Sequence, residues 1–174
     1  LRALQGRGEI EELLARVQDF RRRRRPAAPP LLVKLSPDLT DDEMRDIAEA
    51  VLAAGVDGLI VGNTTVARPP SLKSAERDAQ GGLSGRPLFA PSTACLAAMY
   101  RLTGGRIPIV GCGGIASGAD AYAKIRAGAS LVQMYSALVF HGPGLVRRVK
   151  SELAALLRRD GFASVAEAVG AGQT

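Results

Sequence analysis

The chain has 174 residues, of which 47% are hydrophobic, and it carries a formal net charge of +6. This length and composition suit one folded domain with a sizeable core, and they exclude a disordered or collagen-like chain. No apolar run reaches the roughly 20 residues of a membrane-spanning helix, and the first residues do not resemble a secretory leader. Because Cys95 and Cys112 lie too far apart for a metal-binding pair, we expect free thiols and no metal site.

An unbroken run of five arginines, residues 21–25, follows a stretch with helical spacing. The run could contact nucleic acid or an anionic membrane, or it could be the solvated end of a helix over residues 7–20. Glutamates early in that stretch and arginines late suit the helix dipole, and Phe20 is the only aromatic residue near the run. The solvated helix end is therefore favoured, and no nucleic-acid partner is expected.

Short apolar runs alternate with helical patterns along the rest of the chain. The predicted strands lie at residues 31–36, 58–63, 107–111 and 131–136. The predicted helices lie at about 40–55, 88–103, 117–129 and 141–161. Thr40 with Glu43 predicts a capping box at the first of these helices. Strands that are apolar throughout indicate a parallel sheet covered on both faces, which is either a small open sheet or half of a (β/α)8 barrel.

Ligands of such folds bind at the carboxyl ends of the strands. The first predicted strand carries Lys34 among apolar residues, where an ammonium group is costly unless it meets an anion or acceptor. An edge position, or a side chain that reaches out to water, is the alternative. Because the run shows no alternation of apolar and polar residues, Lys34 is favoured as a functional residue.

Polar residues and glycines follow the second strand. Asn63, Thr64 and Thr65 offer neutral donors and acceptors that suit a heterocycle with carbonyl and N–H edges. A polar loop with no ligand is equally well supported by this motif. The segment GGLSGRP, residues 81–87, carries Ser84, and it fits either an ordinary turn or a ligand clamp.

The third strand runs into the segment IPIVGCGGIASGAD, residues 107–120, which satisfies a loose G-x-G-x-x-A dinucleotide pattern. Residues 121–140 contain no Asp or Glu to bind an adenosine ribose, so NAD is disfavoured. A mononucleotide phosphate fits better, held by backbone amides near Gly113, Gly114, Tyr135 and Ser136. Cys112 is read as a packing residue, and His141, the single histidine, is weak support for catalysis.

Several motifs in one order resemble the dihydroorotate dehydrogenase family. They are LVKLSPDLT, DGLIVGNTT, GGLSGRPL, GRIPIVGCGG and AGASLVQMYSAL, and the resemblance covers essentially the whole chain. It is strongest to the C-terminal half of the quinone-dependent class 2. The resemblance implies an FMN-containing barrel that oxidises dihydroorotate to orotate in pyrimidine biosynthesis, with a quinone as the electron acceptor.

The resemblance also implies roles for individual residues. Lys34 would contact the flavin ring, and Asn63 and Thr64 would bind the substrate. The full set of residues expected to contact FMN is Lys34, Gly62, Asn63, Ser84, Gly85, Cys112, Gly113, Gly114, Tyr135 and Ser136. Two positions depart from the family pattern: Gly62 replaces the usual Thr or Ser, and Cys112 takes a place often filled by Val.

The family's catalytic serine lies upstream of the segment that matches LRALQG, which begins at Leu1, so we expect no catalytic base within this chain. Residues 1–174 are then expected to form the C-terminal half of a single FMN-binding barrel domain, with strands five to eight, and to be inactive alone. The membrane-associating helices would also lie upstream of Leu1. They imply a peripheral location on the cytoplasmic face of a bacterial inner membrane, or on the mitochondrial inner membrane in a eukaryote.

Two alternative functions remain open from the sequence. One is another FMN barrel oxidoreductase, such as a class 1 enzyme that uses fumarate or NAD. The other is a non-catalytic protein whose glycine-rich loop and basic run bind an anion.

Overall fold

Four short strands alternate with helices in the computed structural model, which describes residues 6–24 and 28–173. The strands are β1 (Leu32–Leu35), β2 (Gly58–Val61), β3 (Ile109–Cys112) and β4 (Leu131–Gln133). The helices are α1 (Arg7–Arg24), α2 (Asp41–Ala53), α3 (Phe89–Leu102), α4 (Gly118–Arg126), α5 (Ser136–His141), α6 (Gly144–Arg159) and α7 (Val165–Ala168), and a 3-10 helix spans Arg86–Leu88. The alternation of strands and helices predicted from the sequence is confirmed.

The strands form one parallel sheet in the order β1-β2-β3-β4. Each strand pairs with the next one along the chain, so the connecting helices all return in the same direction. As a consequence, all four carboxyl ends meet at one edge of the sheet. The parallel α/β fold expected from the sequence is therefore present.

Helices cover only one face of this sheet in the described part of the chain. Leu35 and Val61 point to that face and pack with α2 and α3 in the main core. The opposite face carries Lys34, Ile60 and Leu131, which are exposed or half-buried. The expectation of a sheet covered on both faces is wrong for the described residues. In β1, more exposed side chains alternate with more buried ones along the strand, as they do when only one face is covered.

Most element ends lie within a few residues of their predicted positions, but β4 is shorter than predicted. The chain leaves β4 after Gln133, and α5 begins at Ser136. The predicted closing helix begins at Gly144 rather than at residue 141, because Gly142, with φ 68°, separates it from α5. Helix α7 has no counterpart among the predicted elements.

Two local predictions are confirmed at the helix ends. The hydroxyl of Thr40 accepts a hydrogen bond from the Glu43 amide at 3.3 Å, and the Thr40 amide donates to the Glu43 carboxylate at 2.7 Å. Residues 21–24 of the arginine run form the end of α1, while residue 25 lies outside the described residues. Arg22 and Arg23 are exposed, as a solvated helix end predicts, whereas Arg21 binds Asp57 at 3.1 Å and the Pro29 carbonyl at 2.6 Å and ties α1 to the sheet.

Candidate functional site

A cavity of about 410 Å3 lies at the carboxyl ends of the four strands. This volume is within the range of about 300–1,000 Å3 typical of small-molecule sites. The eleven residues that the sequence predicts to contact flavin or substrate all line it: Lys34, Gly62, Asn63, Thr64, Ser84, Gly85, Cys112, Gly113, Gly114, Tyr135 and Ser136. Thr65, the other polar residue considered after β2, does not, because it is buried and its hydroxyl donates to Asp38. Residues from four separate strand ends therefore converge on one space.

The catalytic serine is expected upstream of Leu1, and that end of the chain is not part of the described structure. Leu1 and the four residues that follow it lie outside the described residues, which begin at Gly6. The structure therefore does not test where the base lies relative to the cavity. The absence of a catalytic base from this chain stays a prediction.

Lys34 enters the cavity from β1. Its side chain lies on the open face of the sheet, in register with Ile60 of β2, while its neighbour Leu35 points into the core. Within the described residues, no hydrogen bond or ion pair engages the Lys34 ammonium. An uncompensated cation at the wall of a cavity attracts an anionic or electron-rich ligand.

The residues that follow β2 are fixed by backbone pairing. Asn63 donates its amide to the Leu35 carbonyl at 2.7 Å, which extends the β1–β2 contact to the strand end. Its side-chain oxygen accepts the Thr64 amide at 2.9 Å, so the side-chain NH2 group remains as a donor. Asn63 thus presents a fixed amide to the cavity.

The glycine-rich segment is held against the same strand end. Thr65 and Leu83 form an antiparallel bridge, with N···O distances of 3.1 and 2.7 Å. This bridge brings Ser84 and Gly85 to the same cavity as Asn63, although twenty residues separate Ser84 from Asn63. The interpretation of this segment as a ligand clamp is consistent with its placement at the cavity.

One arginine stabilises the long loop between Gly62 and Gly85. The Arg68 guanidinium donates to the carbonyls of Ala79 and Gly81 at 2.8 and 2.7 Å. It also donates to the Val66 carbonyl at 3.1 Å. Since these acceptors lie at both ends of the loop, Arg68 keeps the loop folded back onto the cavity.

The glycines after β3 adopt conformations that side chains disfavour. Gly113 has φ 106° and Gly114 has φ 72°. A Cβ atom on Gly113 would lie 2.6 Å from the Ser92 hydroxyl, and one on Gly114 would lie 2.6 Å from Cβ of Phe89. Both positions therefore require glycine, for conformation and for space.

The amides of these two glycines are available to a ligand. Neither Gly113 nor Gly114 donates its N–H to an acceptor within the described residues. The amides at the start of α4, in contrast, are already paired: Gly118 donates to Glu152 at 2.6 Å, and Asp120 donates to Ser117 at 3.1 Å. The glycine loop thus offers two adjacent unpaired donors at the cavity.

The segment after β4 closes the cavity from the other side. A Cβ atom on Gly85 would lie 3.9 Å from Cβ of Ser136, so the GGLSG segment and the start of α5 are neighbours. Tyr135 lines the same wall, and 81% of its surface is exposed. Ser136 therefore connects the two loops, while Tyr135 forms an open rim.

A buried lysine beneath the glycine loop is the main site feature that the sequence reasoning missed. Lys124 of α4 is 0% exposed, and its ammonium donates to the Ser92 hydroxyl at 2.6 Å and to the Cys112 carbonyl at 3.4 Å. Burial lowers the pKa of Lys124 to about 8. The signal was present in the sequence, because Lys124 shares one helical face with the buried residues Ala121 and Ile125.

The two cysteines differ in their surroundings. Cys112 lines the cavity, as predicted. Cys95 is buried in the core between the sheet and α3, and burial raises the pKa of its thiol to about 11. Cys95 is accordingly a packing residue without thiolate character.

A second cavity of about 420 Å3 adjoins the first one behind Gly114. Arg86 and His141 line both cavities, and Arg148 lines the second. Arg86 and His141 were not predicted as site residues. They add positive or titratable groups to the edge of the glycine loop.

Metal ligation and membrane spanning find no support in the described residues. No group of three or more His, Cys, Asp or Glu side chains in that part of the chain could hold a metal ion. None of the helices described has both the length and the apolar character needed to cross a bilayer.

Comparison with known proteins gives consistent matches. A family model described as "Dihydroorotate dehydrogenase" matches residues 1–157. "Dihydroorotate dehydrogenase (quinone)" of Xanthobacter autotrophicus is 65% identical over 173 residues, which cover 98% of this chain and 48% of the relative. "Dihydroorotate dehydrogenase (quinone), mitochondrial" of Mus musculus is 52% identical over 171 residues, which cover 98% of this chain and 43% of the relative.

A solved structure shows the same fold. The crystal structure of DHODH from Eimeria tenella in complex with ferulenol superposes with a TM-score of 0.95 at 42% sequence identity. The superposition covers 99% of this chain and 50% of that chain. This chain thus spans about half the length of the curated relatives it matches.

Proposed function

The chain belongs to the dihydroorotate dehydrogenase family, and we propose that it takes part in the FMN-dependent oxidation of dihydroorotate to orotate with a quinone as electron acceptor. The observation that carries this proposal is the cavity at the strand ends. All the residues expected to contact flavin or substrate line it, although they come from five separate segments of the chain. The choice of a quinone as electron acceptor rests on the names of the bacterial and the mouse relative, since both names include the word quinone.

The residues of the cavity fit FMN in three respects. Gly113 and Gly114 offer amides without an acceptor among the described residues, as a phosphate group requires. Lys34 offers a cation with no protein partner in the same part of the chain. Asn63 and Ser84 offer the neutral polar groups that a heterocycle with carbonyl and N–H edges can use. A site of this composition suits a phosphorylated, electron-rich ring better than a simple anion.

When bound, FMN supplies the two-electron redox chemistry that links substrate oxidation to quinone reduction. Lys34 places its positive charge at the wall of the cavity, where it would stabilise negative charge on the reduced flavin ring. Its position on the open face of β1 keeps the ammonium out of the core and beside the bound ligand. We therefore assign Lys34 an electrostatic role in the reaction.

Asn63 and Thr64 would bind and orient the substrate. The Asn63 side chain is fixed by its hydrogen bond from the Thr64 amide, and its NH2 group can donate to a carboxylate or carbonyl oxygen. A donor fixed in advance orients a ligand at little entropic cost. The proton-abstracting base is proposed to be a serine upstream of Leu1, which this chain does not contain.

We further propose that the four strands are strands five to eight of a (β/α)8 barrel, within a single FMN-binding domain. Helices cover one face of the sheet only, as they do in a barrel, where the other face points inward. The relatives are about twice as long as the part they share with this chain. By the same reasoning, peripheral attachment to a quinone-containing membrane is proposed for the complete protein, through segments outside this chain.

Anaerobic titration of the complete gene product with dihydroorotate, followed by flavin absorbance, tests the function. We expect bleaching by dihydroorotate and recovery of the absorbance on adding a quinone. Recovery with fumarate or NAD but not with quinone would move the protein to the class 1 reaction. Bound flavin that stays oxidised would contradict the substrate assignment, and tight anion binding without any flavin would favour the non-catalytic alternative.

A further inference from the structure

Lys124 is a buried cation that lacks a carboxylate partner. It is 0% exposed, and no Asp or Glu among the described residues lies within ion-pair distance of its ammonium. Its neighbours are the Ser92 hydroxyl, the Cys112 carbonyl and the Phe89 ring, whose centroid is 5.2 Å away. These dipoles and the ring compensate only part of the cost of removing a charge from water.

The cation lies directly beneath the glycine loop. Its ammonium contacts the carbonyl of Cys112, the residue that precedes Gly113. A Cβ atom on Gly111 would lie 3.3 Å from Cβ of Lys124, so the stem of the lysine packs against β3 itself. A full positive charge is thus fixed behind the part of the backbone whose amides are unpaired.

The same contact determines where one of these amides points. Lys124 and the Gly62 amide both donate to the Cys112 carbonyl, at 3.4 and 3.3 Å. In a planar trans peptide the carbonyl and the N–H point in opposite directions. Holding the Cys112 carbonyl toward Lys124 therefore turns the Gly113 N–H away from it.

Ser92 adds a second point of attachment. Its hydroxyl accepts from Lys124, donates to the Leu88 carbonyl at 2.6 Å, and lies 3.5 Å from the Gly113 carbonyl. Ser92 is itself 0% exposed, and the loop approaches it so closely that Gly113 has no room for a side chain. The lysine, the serine and the loop form one packed unit.

We infer that Lys124 is a positioning residue for the phosphate group of the cofactor: it orients the loop amides and supplies a buried positive charge behind the bound anion. This inference rests on the proposed function, since it assumes that the anion is the FMN phosphate. It explains why a cation without a carboxylate partner is kept in the core, because the bound anion supplies the compensating negative charge on the other side of the loop.

Comparison of two flavins in the complete gene product tests this role. Riboflavin lacks the phosphate of FMN, so an effect exerted through the phosphate changes FMN affinity alone. For Lys124→Met in the apoprotein, we expect the FMN dissociation constant, measured by flavin fluorescence, to rise about tenfold or more. The riboflavin dissociation constant should stay unchanged. Lys150→Met, which removes a charge from the exposed face of α6, is the matched control and should alter neither value.

The thermal unfolding of the flavin-free variants gives an independent readout. A cation buried without a carboxylate partner carries a desolvation cost that a hydrophobic residue of similar volume does not carry. We therefore expect Lys124→Met to unfold at the same or a higher temperature while it binds FMN less tightly. A variant that is destabilised and loses both flavins equally would show a merely structural lysine and overturn the inference, as would unchanged FMN affinity.

A second variant and a simpler probe cover the remaining outcomes. Lys124→Gln can still donate to Ser92 but carries no charge, and it should show the same phosphate-specific loss if the methionine variant fails to fold. Should the wild-type protein bind neither flavin, the proposed function fails, and inorganic phosphate becomes the probe. Phosphate that raises the unfolding temperature of the wild type but not of Lys124→Gln would then support the role of Lys124. No effect on either protein would contradict it.

Discussion

The ammonium of Lys124 lies 2.6 Å from the hydroxyl of Ser92, and both residues are completely buried beneath the loop that carries Gly113 and Gly114. The other lysine of the site, Lys34, is exposed at the cavity wall. The ammonium of Lys34 thus lies at the surface of the cavity, whereas that of Lys124 lies behind the cavity wall. One can act directly on a ligand, whereas the other acts through the backbone and through its field.

The burial of Lys124 leads to a prediction about how FMN affinity depends on pH. Burial lowers the pKa of Lys124 to about 8 from its ordinary value of 10.5, while Cys112, Cys95 and Asp120 act in the opposite direction. A bound phosphate favours the protonated lysine, so FMN affinity should fall as the pH rises through about 8. Isothermal titration between about pH 7 and 9.5 measures this, and the fall should be absent in Lys124→Met.

The stability of the flavin-free protein should show the opposite trend. The pKa of Lys124 is about 8 in the folded protein and 10.5 in the unfolded chain, so between these values the unfolded chain binds more protons at Lys124. The contribution of Lys124 to the free energy of unfolding therefore rises with pH across this window. Urea unfolding across this window checks the sign. The rise should be absent in Lys124→Met, which has no titrating group at this position. An FMN affinity that stays level across pH 8 in the wild type would contradict the assigned role.

Removal of the exposed cation should slow the reaction rather than unfold the protein. For Lys34→Ala in the complete gene product, we expect flavin reduction by dihydroorotate to slow by roughly 100-fold, the usual effect of losing one electrostatic group. Stopped-flow absorbance measures this rate, with Lys150→Ala as the control. A normal rate in the Lys34 variant would remove Lys34 from the mechanism.

The glycine loop should tolerate no side chain. In Gly114→Ala, the left-handed backbone conformation costs about 1–2 kcal/mol, and the new Cβ atom collides with Phe89. We expect the purified variant to retain much less flavin than the wild type, as measured by the ratio of flavin to protein absorbance. Gly144→Ala is the matched control, because no atom lies within 4 Å of its added Cβ. Full flavin content in Gly114→Ala would show that the loop can rearrange.

The 174-residue chain on its own should self-associate. Leu131, Val139 and Phe140 are 66%, 79% and 82% exposed, and one edge of β1 and one edge of β4 have no neighbouring strand within the described residues. Exposed apolar side chains and unpaired strand edges favour association. Light scattering and binding of a hydrophobic dye measure this. A monomeric chain with one cooperative unfolding transition would argue against the proposed half-barrel.

Much of the fold follows from local signals in the sequence. The Thr40–Glu43 capping box marks the start of α2, and apolar runs of four to six residues mark β1 to β3. Such features depend on contacts between residues close in sequence, so the pattern itself contains them. The local pattern around Lys34 was misleading, because it showed no alternation of apolar and polar residues although the side chain of Lys34 is exposed. Alternation in β1 is hidden by Leu32, an apolar residue on the open face.

Motifs at strand ends predicted most of the site residues, because parallel strands bring those ends together whatever the details of packing, and the family resemblance supplied the rest. The sequence by itself thus determined the type of sheet, the cap of α2 and eleven of the residues that line the cavity, but not Arg86 or His141. Only the tertiary structure decided which face of the sheet the helices cover, that the glycine loop lies over Lys124, and which amides remain unpaired. These depend on how α3 and α4 pack against β3, and contacts between segments that are distant in sequence leave little trace in a local pattern.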